Sequence, residues 1–165
     1  MVLNQLRRLV WMAAVGVNGT VDGDKILEFK NLDPPVQELI TAAIDARKAA
    51  YCPYSNFAVG AAIRTTNGDI FTGCNIENAA FGPTICAERT AVVKAVSEGQ
   101  REFAACAVVA YEENSFTAPC GICRQVLSEF AKRDFPIYLA KPAPCRVFCT
   151  SISELLPHRF TGLDE

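Results

Sequence analysis

Two short stretches carry residue types suited to metal chemistry. Cys86-Ala87-Glu88 sets a thiol two residues from a carboxylate, and Pro119-Cys120-Gly121-Ile122-Cys123 adds two thiols at CxxC spacing. The chain has a single histidine, His158, in its C-terminal tail, so a catalytic metal here must be held by sulfur. Three such ligands suit zinc and leave its fourth position open to water, which is the catalytic rather than the structural arrangement. Glu88 then falls beside that water as a proton carrier. Taken alone, Glu88 is also an ordinary first-turn glutamate stabilised by a helix dipole. A lone Cys-x-Glu carries no information, and a lone CxxC fits a metal, a redox pair or nothing. The combination, with Pro119 in front and each stretch opening a helix, is specific.

A zinc ion held by three thiolates bears a net negative charge, which weakens it as a Lewis acid. The sequence supplies two compensations. Both thiol segments lie where helices begin, each N-terminus acting as about half a positive charge. Arg89 and Arg124 directly follow Glu88 and Cys123, and a guanidinium donating to the sulfurs would lower their charge further.

These groups need a framework. Asp33-Pro34-Pro35 reads as a helix start, with Asp33 as the cap, and Val36, Leu39, Ile40, Ala43 and Ile44 recur at helical spacing as far as about Ala50. The compact apolar run Phe57–Arg64 predicts a buried strand. Asn67-Gly68 predicts a hairpin turn, with Ile70–Cys74 returning antiparallel. Helices are expected over Cys86–Glu98 and Cys120–Lys132. Strands are expected over Phe103–Tyr111, Pro136–Ala140 and Arg146–Thr150, and a helical turn at Ser153–Leu156. This alternation predicts an α/β fold, a three-layer α-β-α sandwich around a mixed sheet of about five strands. Residues 1–32 read as an N-terminal extension and 33–165 as the catalytic domain.

The 165 residues are 50% hydrophobic and 21% charged, with a net charge of −2. That balance argues against nucleic acid as a partner, since such binders carry a clustered basic face. The pairs Arg7-Arg8 and Lys132-Arg133 are too short to make one. Eight cysteines in a chain of this length and apolarity fit a reduced compartment with a metal thiolate site better than a disulfide framework. Cys145 and Cys149 read as packing residues. No apolar run reaches the ~20 residues of a membrane helix, so no membrane partner is expected. A cytoplasmic location is the expectation, with a targeting segment in the first 20 residues as the alternative.

Four stretches then match a known pattern. Tyr51-Cys52-Pro53-Tyr54-Ser55-Asn56-Phe57-Ala58-Val59-Gly60-Ala61-Ala62, Gly73-Cys74-Asn75-Ile76-Glu77-Asn78-Ala79, Ile85-Cys86-Ala87-Glu88-Arg89-Thr90-Ala91 and Pro119-Cys120-Gly121-Ile122-Cys123-Arg124-Gln125 together resemble the small homotetrameric zinc-dependent cytidine deaminases. The resemblance covers about residues 34–162. It implies hydrolytic deamination of cytidine and 2′-deoxycytidine to uridine and 2′-deoxyuridine, with release of ammonia, in pyrimidine salvage. It implies one zinc per subunit on Cys86, Cys120 and Cys123, with Glu88 as the proton shuttle and Arg89 bonded to the ligand sulfurs. Asn75 and Glu77 would hydrogen-bond the ribose 3′-hydroxyl, Phe57 would stack on the pyrimidine, and the Ala87 N–H would bind the base carbonyl. Phe160 matches a C-terminal aromatic that reaches a neighbouring subunit's site, so the active sites of the homotetramer would be shared. Phe81 falls in the substrate-binding set where many relatives carry tyrosine, so a hydroxyl contact there is lost.

Three other readings stay open at this level. A thiol–disulfide oxidoreductase would use Cys120 and Cys123 alone and leave Cys86, Glu88, Asn75 and Glu77 without a role. A non-catalytic zinc module would need a fourth protein ligand. A deaminase acting on free cytosine, an aminonucleoside antibiotic or an RNA base would share the metal chemistry and differ at the sugar.

Overall fold

The computed structural model describes residues 25–131 and 135–162. The possible targeting segment and the pairs Arg7-Arg8 and Lys132-Arg133 lie outside the described residues.

Among the described residues, six strands form one mixed sheet: β1 (Ile26–Glu28), β2 (Val59–Thr65), β3 (Ile70–Cys74), β4 (Phe103–Ala110), β5 (Pro136–Ala140) and β6 (Arg146–Ser151). Their spatial order is β1-β6-β5-β4-β2-β3. The β4–β5 pair is parallel and the other pairs are antiparallel. Among the described residues, four α-helices accompany the sheet: α1 (Pro34–Arg47), α2 (Ala87–Ser97), α3 (Gly121–Phe130) and the single turn α4 (Ile152–Leu155).

The alternation of side chains across each strand separates two cores. Ile63, Cys106, Val108, Ile137 and Leu139 face α2, α3 and α4, meeting Ala91, Val92, Ala95, Leu127 and Ile152. Ala62, Ala105, Ala107, Val109, Ala140 and Val147 face α1, meeting Leu39, Ile40 and Ala43. β4 is therefore buried on both sides, which is why it reads as an unbroken apolar run. The result is the expected three-layer α-β-α sandwich.

The sheet has six strands rather than about five. The additional edge strand, β1, comes from the segment read as an extension; Ile26, Leu27 and Glu28 pair with Phe148, Val147 and Arg146. Leu32, also in that segment, is buried in the α1-side core. Three residues are too few for a period-2 pattern to register. Asp33 does sit at the α1 N-cap, but its side chain makes no cap hydrogen bond there. Its carbonyl instead takes the amides of Val36 and Gln37.

Two glycines matter for the site. Gly68 adopts φ +100° in the Asn67-Gly68 hairpin turn between β2 and β3, a conformation glycine reaches without steric penalty. Gly73, on β3, lets α2 lie directly on the sheet: a Cβ there would fall 2.4 Å from the Ala87 carbonyl oxygen.

Candidate active site

Two helix starts bring the three thiols together. Cys86 is the N-cap of α2, Cys120 is the N-cap of α3, and Cys123 lies in the first turn of α3. Both caps are extended and make no side-chain cap bond, so their sulfurs are free to turn toward each other. The three Sγ atoms lie within 4.8 Å of one another, with Cys86 and Cys120 3.9 Å apart. Zinc–sulfur bonds of ~2.3 Å at a tetrahedral centre set sulfurs about 3.8 Å apart, close to the Cys86–Cys120 separation, so the triad fits zinc. No other such group occurs among the described residues. Cys145 immediately precedes β6 and Cys149 lies within it; neither belongs to the triad, and all eight cysteines are unpaired thiols.

Without metal, the three sulfurs share their protons unequally. The Cys120 thiol is drawn far below its ordinary range by hydrogen bonds with Cys123 and Cys86, and then by the backbone N–H groups of Cys123 and Ile122. Cys86 is pushed up to about 11, first by its hydrogen bond with Cys120, and Cys123 is raised as well.

Arg89 lies against the cluster. Its Nη2 donates to the Thr84 carbonyl at 3.1 Å and to Cys86 Sγ at 3.8 Å. Its Nε is buried with no partner, an orphaned cationic donor that suits a site rich in thiolate. Arg124 does not play the matching part expected of it. Its Nε donates to the Pro119 carbonyl at 2.7 Å and its Nη1 to the Leu155 carbonyl at 2.9 Å, so it braces the loop and touches no sulfur.

Glu88 is 4% exposed and lines the cleft beside the thiols. Its carboxyl is pushed up to about 7, foremost by burial, while its own backbone N–H pulls the other way. A carboxyl poised near neutrality can both accept and donate a proton during one turnover.

The cleft has a volume of about 210 Å³, which suits one small ring compound rather than a polymer strand. Phe57, Asn75 and Ala87 line it with Glu88, Cys86 and Cys120. Cys123 and Arg89 are not among its lining residues. Glu77, Phe81 and Phe160 do not line the cleft of the single chain. Glu77 is buried and its carboxylate accepts from the Tyr54 N–H at 2.9 Å, the Ser55 N–H at 3.2 Å and the Ser55 hydroxyl. Asn75 is similarly engaged: Oδ1 accepts from the Val59 N–H and Nδ2 donates to the Phe57 carbonyl, each at 2.8 Å. These two side chains build the 54–59 loop that carries Phe57. Phe81 is 54% exposed and Phe160 78% exposed.

Ser55, Thr84 and Thr117 also border the cleft and were not among the sequence candidates. Ser55 is the most informative. Its hydroxyl accepts from the Phe57 N–H at 3.0 Å while bonded to Glu77, and Asn56 beside it adopts φ +56°. Pro53-Tyr54-Ser55-Asn56 is a turn-forming sequence, and that was the available signal.

Comparison with known proteins agrees with this geometry. Residues 34–139 match the family model described as the cytidine and deoxycytidylate deaminase zinc-binding region. A protein named cytidine deaminase from Sporosarcina psychrophila is 48% identical over 129 residues, 78% of this chain and 93% of the relative. Another from Halalkalibacterium halodurans is 48% identical over 128 residues, 78% of this chain and 96% of the relative. The crystal structure of cytidine deaminase from Burkholderia pseudomallei superposes with a TM-score of 0.70 at 49% identity, covering 74% of this chain and 97% of that one. With three sulfurs at zinc spacing beside a buried glutamate, the chain belongs to the cytidine and deoxycytidylate deaminase zinc-binding family and is a zinc enzyme.

Proposed function

We propose that this enzyme hydrolyses cytidine and 2′-deoxycytidine to uridine and 2′-deoxyuridine, releasing ammonia, as a step of pyrimidine salvage. The observation that carries the reading is Glu88: a buried carboxyl held near neutrality, lining a ring-sized cleft beside a three-thiol cluster. Cys86, Cys120 and Cys123 would hold zinc, which would supply Lewis-acid activation of water. Glu88 would move the protons of the hydrolysis, accepting one from the attacking water, passing it to the ring nitrogen and later delivering one to the departing amine. The Arg89 guanidinium offsets the thiolate charge. Phe57 stacks on the pyrimidine, and the Ala87 N–H, at a helix start, holds the base carbonyl.

Asn75 lines the cleft and is assigned to the sugar. Glu77 acts through the 54–59 loop that its carboxylate fixes. A buried carboxylate near the sugar disfavours a 5′-phosphate, so nucleosides are preferred to nucleotides. The exposed side chains of Tyr54, Phe81, Ile122 and Phe160 support burial between copies in a homotetramer with shared sites. Phe81 and Phe160 then complete a cleft that neither lines in its own chain. The eight unpaired thiols favour a cytoplasmic, reducing location.

Product analysis with cytidine, 2′-deoxycytidine, cytidine 5′-monophosphate and free cytosine tests the substrate class. Turnover of the two nucleosides and not of the others is expected. Faster turnover of the nucleotide or the free base would overturn the role given to Asn75 and Glu77.

A further inference from the structure

The C-terminal tail is tied to the helix that carries two of the thiols. The Arg124 guanidinium bridges the Pro119 and Leu155 carbonyls, joining the turn that presents Cys120 to the end of α4. Gln125, next in sequence, donates from Nε2 to the Phe160 carbonyl at 2.9 Å. The tail's backbone is thus held at two points from the first turn and a half of α3. The Phe160 ring, however, is 78% exposed. A backbone pinned in place with its aromatic side chain in solvent is arranged to present that ring to something outside its own core.

We propose that Gln125 and Arg124 are positioning residues for nucleoside binding, fixing the tail to α3 so that Phe160 is delivered to the cleft in one place. This rests on the reading that Phe160 completes the cleft of a neighbouring subunit. Because Arg124 also holds Pro119, the placement of the tail and of the Cys120 turn share one brace. The cleft that receives Phe160 and the zinc site of the subunit that donates it are therefore linked through the helix start of α3.

Gln125→Met removes the donor and keeps the apolar stem, whereas Gln125→Lys keeps a donor of similar reach. In the zinc-loaded full chain, Gln125→Met is expected to retain zinc, melting temperature and kcat. It is expected to raise KM for cytidine about fivefold, the worth of one ordinary hydrogen bond. Gln125→Lys restores most of the loss. Phe160→Ala raises KM at least as far, and adding Gln125→Met to it changes nothing more, because both act through one contact. Trypsin cleavage after Arg159 is faster in Gln125→Met than in wild type. That readout is independent of substrate, and an unchanged rate would overturn the brace. If Phe160→Ala raises KM and Gln125→Met does not, other contacts place the tail and the proposal is wrong while the role of Phe160 stands. If Phe160→Ala leaves KM unchanged, the underlying reading fails and the proposal fails with it. Loss of zinc in Gln125→Met, or additive KM effects in the double variant, would make Gln125 merely structural and overturn the proposal.

Discussion

Gly73→Ala adds one methyl group where β3 meets α2, on the far side of the helix start that carries Cys86 and Glu88. The added Cβ would lie 2.4 Å from the Ala87 carbonyl oxygen, 2.5 Å from the Ala91 nitrogen and 2.9 Å from Thr90 Cβ. Ordinary contact begins at 3.4 Å, so relief requires 3.4 − 2.4, about 1 Å, of separation. The two shortest contacts are helix backbone, and no side-chain rotation can relieve them. α2 must therefore move outward or tilt. Overpacking of this kind costs roughly 1–3 kcal/mol. The larger effect falls on chemistry, since a displacement near 1 Å of a catalytic group costs about 10²-fold in rate. Urea unfolding, zinc content and kcat/KM of the variant measure the two effects separately. The expected result is a modest loss of stability with a ten- to hundredfold loss of kcat/KM, in line with those estimates. Gly82→Ala, where an added Cβ meets nothing within 4 Å, serves as the control and should behave as wild type. Wild-type kcat/KM in Gly73→Ala would refute the claim that this close approach sets the position of Glu88.

Zinc uptake by the metal-free protein at pH 7 should release about two protons, those held by Cys86 and Cys123, because the ligands bind as thiolates. Affinity should accordingly fall as pH falls, and calorimetry in two buffers of different ionisation heat measures the release; a value near zero would contradict the proton distribution described for the triad. Ser55→Ala removes the hydroxyl that joins Glu77 to the Phe57 N–H and should raise KM several-fold with a smaller change in kcat, as expected for loss of one or two hydrogen bonds in a binding loop. Unchanged steady-state constants would show that the 54–59 loop holds its shape without it.

The metal centre was legible because its evidence is local. Cys86, Glu88, Cys120 and Cys123 announce themselves by type and spacing, and each segment begins a helix as its neighbours require. β4 was legible for a different reason, since burial on both faces leaves an unbroken apolar run. What the sequence concealed depends on distant partners. β1 is three residues long and exists because β6 is there to pair with it. Arg124 follows Cys123 in sequence, yet its guanidinium is taken up by the Pro119 and Leu155 carbonyls rather than the sulfurs. Ser55 and Thr117 reach the cleft through loop geometry that has no period. The family resemblance implies Glu77 as a ligand contact, while the fold shows it first as the anchor of the loop bearing Phe57.

The most direct test of the central claim replaces Glu88 by Gln, which keeps the size of the side chain and removes its ability to carry a proton. Zinc per chain and loss of the cytidine absorbance band are measured on the same preparation. Zinc retained at the wild-type ratio with turnover reduced by at least ~10² is the predicted result. Full activity in Glu88→Gln would contradict the assignment of Glu88 as the proton carrier.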